Sequence, residues 1–243
     1  MTERSRCANR LAAETALERA AAAGPGSLER RLARGTSPEI RRLALQLSDL
    51  RSRAGRRIEG AERLFWTPKG LEQASSSALA RWRAATVAER GPAGAALVDL
   101  TAGLGIDAGA LAAERPVVAV ERDPTTAALC GLNLERLAPG RALAVHGDAA
   151  RPPARAPLVL LDPDRRAEGR RELDPERWSP AWGTVLERLA DSSGGCVKLP
   201  PTVDPEALER GLPTSLPRSW SFLARGRELV EATLWTGVLA RSD

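Results

Sequence analysis

Tyrosine is missing from the 243 residues, histidine and methionine occur once each, and lysine occurs twice, at Lys69 and Lys198. A single histidine, His146, argues against Ser-His and Cys-His nucleophilic catalysis and against multi-histidine metal sites, so no metal is expected. Three widely spaced cysteines (Cys7, Cys130, Cys196) form no pair pattern and no metal knuckle, which fits a chain kept in a reducing cytoplasm. No apolar run approaches the roughly 18 uncharged residues of a bilayer span. The N-terminal stretch does not read as a signal peptide, because it is mostly alanine and is broken by Glu14 and Glu18. What is present is globular in proportion: 43% hydrophobic and 28% charged residues exclude disorder, a collagen-like chain and a coiled-coil rod.

The charge is unevenly placed. Residues 1–97 carry 18 basic and 10 acidic side chains, whereas residues 98–243 carry 18 basic and 21 acidic. A basic front half points either to an anionic partner such as nucleic acid or to a solvated, Arg-rich helical surface.

Sequence grammar changes at the same place. From Arg10 to about Arg90 the chain is rich in Ala, Leu, Arg and Glu at helical spacing. Ser37-Pro38-Glu39 reads as an N-cap with proline at the first helical position. Gly24-Pro25-Gly26 separates an earlier helix from this one. A third helix is expected from Pro68 to Arg90, capped by Thr67. Residues 1–90 therefore read as a small helical domain, and residues 91–243 as a second domain of another class.

In that second part, short apolar runs alternate with helical stretches. Strands are expected over 96–100, 117–121, 142–146, 158–162 and 196–199, with helices over 107–114 and 124–137. Such alternation implies a parallel sheet with right-handed crossovers. Residues 220–224 and 229–236 flank Arg225-Gly226-Arg227 and predict an antiparallel hairpin at the sheet edge, giving seven strands. The expected fold is α/β, a Rossmann-like sheet closed by a C-terminal hairpin and preceded by a small all-α domain.

Chemistry is concentrated at the strand ends. After the first strand, Thr101-Ala102-Gly103-Leu104-Gly105 provides glycines for close backbone approach and a helix start with free N–H groups. Glu121 ends the second strand, where a carboxylate accepts ribose hydroxyls. Asp99 lies at the approach to the glycine loop, placed for a cationic amino group. Asp148 follows the third strand, placed for an adenine amino group. Asp162-Pro163-Asp164-Arg165 follows the fourth. Gly103-x-Gly105-x-x-Ala108 also satisfies the dinucleotide fingerprint, so the loop alone leaves a nicotinamide-dependent oxidoreductase open.

Asp99-Leu-Thr-Ala-Gly-Leu-Gly-Ile-Asp-Ala108 resembles the first motif of class I S-adenosylmethionine-dependent methyltransferases. Val118-Ala-Val-Glu-Arg-Asp123 resembles the second motif and Gly147-Asp148-Ala149 the third. Within that superfamily, Leu64-Phe65-Trp66-Thr67-Pro68-Lys69 and Glu231-Ala-Thr-Leu-Trp235 are similar to the bacterial branch of trimethylguanosine synthase-like RNA methyltransferases. The resemblance spans roughly residues 40–243. It implies S-adenosylmethionine as cofactor, held by Asp99, Thr101, Ala102, Gly103, Gly105, Glu121, Arg122, Asp148 and Ala149. It also implies an amine of an RNA base, guanine favoured, as methyl acceptor.

Amino-methylating members commonly carry Asp-Pro-Pro-aromatic after the fourth strand, where the ring stacks on the base. Here Asp162 and Pro163 match and are the expected catalytic pair, but Asp164 and Arg165 replace the proline and the aromatic. Stacking is then assigned to Trp66, Trp178 or Trp182, each of which has core filler as its alternative. Arg165, Arg166, Arg170, Arg171 and Lys198 are candidates for phosphate or substrate contact, against an exposed loop and a surface lysine. His146 is expected to be structural. Bacterial members often continue into a domain resembling a THUMP RNA-binding module. With seven residues after Thr236, that domain is expected to be absent. A catalytically inactive RNA-binding or scaffold protein of the same fold stays open as the alternative function.

Overall fold

The structure is a computed structural model; it describes residues 3–22, 27–33, 35–167 and 170–241, without the side chains of residues 3–4 and 166–171. Gly24-Pro25-Gly26 lies outside the described residues. Apart from a two-stranded ribbon at Arg166–Ala167 and Arg170–Arg171, the strands are β1 (Leu97–Asp99), β2 (Val117–Glu121), β3 (Ala142–His146), β4 (Leu158–Leu161), β5 (Gly194–Leu199), β6 (Arg218–Arg225) and β7 (Glu228–Gly237). They form one sheet in the order β3-β2-β1-β4-β5-β7-β6. The first five strands pair in parallel. β7 runs antiparallel to β5, and β6 antiparallel to β7, closing the edge as the predicted hairpin around Gly226-Arg227.

Period-two alternation sorts the strands onto two faces. Leu97, Val117, Ala119, Leu158, Leu160, Cys196 and Trp235 face one core, while Val98, Val120, Val159, Leu161, Val197, Leu199 and Leu234 face the other. The first core is covered by α5 (Ser77–Arg90), α6 (Ile106–Leu111) and α7 (Pro124–Leu137), and the second by α8 (Trp182–Ala190) and α9 (Pro205–Glu209). The order of strands reverses between β1 and β4. Neighbouring crossovers leave there in opposite directions, opening a crevice at the strands' carboxyl ends.

The front half is helical: α1 (Glu3–Ala22), α2 (Leu28–Leu32), α3 (Pro38–Ala54) and α4 (Pro68–Gln73) precede α5. Ser37 caps α3 and Thr67 caps α4 through their hydroxyls, as the sequence predicts. The expected helix from Pro68 to Arg90 is in fact two. It breaks at Ala74-Ser75-Ser76, where Ser76 caps α5 and Ser75 turns inward. These helices share a core with the sheet domain, in which Leu47, Leu50, Leu64 and Phe65 meet Leu104, Ile106 and Leu129. Asn133 on α7 fixes the junction. Its side chain accepts the Phe65 N–H at 2.8 Å and donates to the Phe65 and Leu104 carbonyls at 3.1 and 3.0 Å. The glycine loop is thereby tied to the segment that precedes α4.

Candidate active site

A cleft of about 1680 Å³ opens at the switch point between β1 and β4. Asp99, Thr101, Ala102, Gly103, Glu121, Arg122, Asp148, Ala149, Asp162, Pro163, Arg165 and Lys198, all singled out from the sequence, line it. Gly105 stands just behind, opening α6 with φ +85°, and a Cβ there would lie 2.9 Å from the Cys130 sulfur. Gly103 has φ +55° with nothing within 4 Å of where a Cβ would lie. Both positions require glycine, Gly105 for packing as well as its left-handed backbone and Gly103 for a left-handed turn beside open space.

The loop is held by its carboxylates. Glu121 accepts the Gly103 N–H at 2.9 Å through Oε2 and the Asp123 N–H at 2.8 Å through Oε1. A carboxylate offers about four lone-pair positions, so Glu121 retains capacity for a pair of ribose hydroxyls facing the cleft. Asp99 is 2% exposed and accepts the Thr101 N–H at 3.1 Å. Burial, reinforced by the negative charges of Asp107 and Asp162, pushes its carboxyl up to about 8 against the opposing Thr101 N–H and Lys198. The Thr101 hydroxyl accepts the Asp162 N–H at 2.6 Å, coupling the first loop to the segment after β4. Asp148 is exposed and steadies its own turn by accepting the Ala150 N–H at 2.8 Å. His146 sits 3.1 Å from the Arg122 carbonyl, bracing the ends of β2 and β3. An open backbone cradle, a carboxylate with spare acceptors and a buried acid for a cationic amino group suit an S-adenosylmethionine-type ligand.

Two expectations are corrected. Trp66 does not reach the cleft. It is 0% exposed, its indole N–H donates to the Ala61 carbonyl at 3.0 Å, and it packs among Leu47, Phe65 and Leu71. Trp178 and Trp182 are buried too, edge to face at 6.1 Å, with indole N–H groups bonded to the Glu172 and Leu208 carbonyls. None of the three is available to stack on a base. The upstream segment instead contributes Thr67 and Lys69 to the cleft, and Lys69 pairs with Asp164 at 3.0 Å. Nor is Lys198 a surface lysine: it is buried on β5, and its ammonium is bonded to Asp162 and, at 3.2 Å, to Asp107. Two carboxylate oxygens hold it, which occupies two of its three N–H donors. Arg165 lines the cleft, while the side chains of Arg166, Arg170 and Arg171 lie outside the described residues.

Arg83 and Ser75 were not picked out by the sequence reading, and Asp107 and Glu231 entered it only as parts of motifs. Arg83 on α5 donates to Asp107 Oδ1 at 3.1 and 2.8 Å and to Ser75 at 2.9 Å, and it pairs with Glu231 on β7. Ser75 donates to Asp107 Oδ2 at 2.8 Å. Burial would raise the Asp107 carboxyl, but the charges of Arg83 and Lys198 and the Arg83 and Ser75 hydrogen bonds outweigh it and hold the group ionised. Burial likewise opposes the charge on Lys198, and the carboxylates of Asp107 and Asp162 overcome it. The signal that would have found this cluster is a lysine inside a strand buried along its whole length.

Among the described residues no helix is long and apolar enough to cross a membrane, and no cluster of His, Cys, Asp or Glu is arranged to hold a metal. Cys7, Cys130 and Cys196 are free thiols.

No family model matches the chain. Two Mycobacterium tuberculosis proteins, both named uncharacterized S-adenosylmethionine-dependent methyltransferase, are 30% identical to it over 185 residues, which is 75% of this chain and 49% of theirs. The chain thus spans about half the length of the curated relatives it matches. Among solved structures, the "putative methyltransferase" of Porphyromonas gingivalis W83 superposes with a TM-score of 0.72 at 21% identity, over 94% of this chain and 58% of that one. An O-methyltransferase from Bacillus cereus superposes with a TM-score of 0.50 at 10% identity, over 79% of this chain and 90% of that one. The chain has a Rossmann-like methyltransferase fold, and its sequence relatives are named S-adenosylmethionine-dependent methyltransferases.

Proposed function

We propose that the chain is an S-adenosylmethionine-dependent methyltransferase that modifies an amine of an RNA base, with guanine favoured. The observation that carries this reading is the convergence of Asp99, Glu121, Asp148 and Asp162 on one cleft at the sheet's switch point. When bound, the cofactor supplies a methyl group already activated on a sulfonium, so the protein's task is positioning. Asp162 gives one carboxylate oxygen to Lys198 and keeps the other for an acceptor N–H. Accepting that hydrogen aims the nitrogen lone pair at the methyl carbon and stabilises the positive charge that develops on nitrogen. Asp162, or water beside it, would take the proton that the amine gives up on methylation.

A nucleic-acid acceptor is supported by the rim. Arg6, Arg10, Arg42, Arg57 and Lys69 from the helical front half line the same cleft. Asp164 stands where base-stacking members carry proline, and its pairing with Lys69 joins the post-β4 segment to that basic rim. The guanine preference and the kinship with trimethylguanosine synthase-like enzymes rest on the sequence resemblance. Mass spectrometry of nucleosides from total RNA, with and without the gene, tests the reading. Loss of one N-methylated base is expected. An unchanged nucleoside profile, together with labelled-methyl transfer to no RNA, would leave the inactive RNA-binding alternative.

A further inference from the structure

We infer that Asp107 and Arg83 are positioning residues that, through Lys198, fix the carboxylate of Asp162 at the mouth of the cleft. The inference rests on the role proposed for Asp162. Lys198 is the one charged side chain on β5, all six residues of which are buried. Five elements point ionisable groups at its ammonium: Asp107 from α6, Asp162 after β4, Glu231 from β7, Asp99 at the end of β1 and, as the opposing cation, Arg83 from α5. Among the described residues only Asp107 and Asp162 touch it. Asp107 is immobilised in turn, with both its oxygens occupied by Arg83, Ser75 and Lys198. Arg83 is braced on its far side by Glu231, which also accepts the Thr233 hydroxyl at 3.0 Å.

The chain of contacts therefore runs in one direction, from a closed and buried end to a half-exposed one. Every member but Asp162 is buried. At the open end, the Asp162 backbone is held by Thr101 and one of its oxygens by Lys198, so a single oxygen is left facing the cleft at a fixed angle. Burying so many ionised groups is costly and is no route to stability. The same groups in a low-dielectric interior hold geometry tightly, because each ion's departure would strand its partner. A ring of apolar side chains would pack this layer equally well but would leave Asp162 free to rotate. Methyl transfer is sensitive to angle, and small misplacements of an orienting group carry large rate penalties.

The two-lysine composition supplies the test. Nitrogen-15 labelling of lysine in the full chain yields two ε-ammonium signals, and Lys69→Met identifies which is Lys198. The Lys198 ammonium protons should exchange slowly, while those of Lys69, with a 73% exposed side chain, exchange fast. Asp162→Asn and Asp107→Asn should each shift the Lys198 signal. With an RNA acceptor, Asp107→Asn should lower kcat by about ten-fold or more while the KM for S-adenosylmethionine moves less than about two-fold. Arg83→Lys should recover part of the kcat lost in Arg83→Met. Should Asp107→Asn fail to fold, Ser75→Ala, which removes one hydrogen bond to Asp107, carries the same test. A Lys198 signal that exchanges as fast as that of Lys69, or that ignores Asp162→Asn, overturns the inference. So does wild-type kcat in folded Asp107→Asn. A slow, Asp162-sensitive Lys198 signal in a protein that methylates no RNA would support the clamp and sink the proposed activity instead.

Discussion

At the scale of single residues, three acids in one cleft do three different jobs because their surroundings differ. Asp162, half-exposed and paired with a buried lysine, is the group on which proposed turnover depends. Asp162→Ala should keep cofactor affinity and lose about 100-fold or more in kcat, the scale of removing a transition-state hydrogen-bonding group. Asp162→Asn keeps an acceptor oxygen without the charge, so a modest loss indicates orientation and a loss as deep as alanine's indicates charge stabilisation. Near-normal turnover in both would remove Asp162 from the mechanism and bring Asp164 forward. Glu121 already spends two acceptor positions on the loop backbone, and its remaining ones are assigned to ribose. Glu121→Ala should weaken S-adenosylhomocysteine binding in calorimetry by roughly 1–3 kcal/mol, and unchanged affinity would defeat that assignment. Asp99 is the buried acid without a contacting cation, raised by desolvation to about 8. An unfolded chain ionises aspartate near ~3.9, so between those values the native state holds a proton that the unfolded state has lost. Stability from this group is full at the acid end and is lost as pH rises through about 8. The ligand-free protein should therefore lose stability in urea unfolding from about pH 5 to about pH 8, and Asp99→Asn should flatten that slope.

Elements differed in how far the sequence exposed them, for reasons visible in particular residues. β2, β3 and α7 carry their own periodicity and boundary residues, and Asp123-Pro124 opens α7 as cap and first turn. The break between α4 and α5 was hidden because Ala74-Ser75-Ser76 reads as ordinary helix composition. Only the tertiary partner of Ser75, Asp107, thirty-two residues on, shows why the chain turns there. The strand-end acids were legible as positions, since a parallel sheet brings its carboxyl ends together whatever the detail. The buried ion cluster was not, because Arg83 and Glu231 lie 148 residues apart and neither has a local pattern. Trp66 was misplaced for a third reason: an aromatic beside a Thr-Pro cap announces a large side chain but not which side of the backbone it takes. In the structure it joins the layer between α3 and α4, so its loss is a packing defect. Trp66→Ala should cost about 3–5 kcal/mol in denaturant unfolding. Where the variant remains folded, RNA affinity should hardly change, the opposite of what a base-stacking residue would show.

On the scale of the whole molecule, the helical front half contributes to both the core and the cleft, and these contributions separate along the chain. Ala84 and Val87 of α5 pack in the first sheet core beside Leu97 and Leu158, and Arg83 balances the buried Asp107 and Glu231. A chain beginning near Gly91 loses all of these, leaving two carboxylates buried without their guanidinium, and it should not fold to a cooperative state. One that folds, binds cofactor and keeps full activity would refute a substrate role for the front half. The basic rim is separable from this core role, because Arg6 and Arg42 are exposed where they line the cleft. Their replacement by glutamine should leave thermal unfolding and S-adenosylhomocysteine binding close to wild type. If the rim follows an RNA backbone, wild-type affinity should fall steeply with salt, because each neutralised phosphate releases condensed counterions. Each lost phosphate contact should then lower the slope of log affinity against log salt by about 0.7 to 0.9, nearly independently of RNA sequence. Arg10 and Arg57 are excluded from that set, since their guanidinium groups also donate to the Trp66 carbonyl, at 3.1 Å, and to the Leu71 carbonyl, and their loss would mix binding with stability. A salt slope unchanged in the Arg6 and Arg42 double variant would place the acceptor elsewhere and return the front half's positive charge to a solvated helical surface.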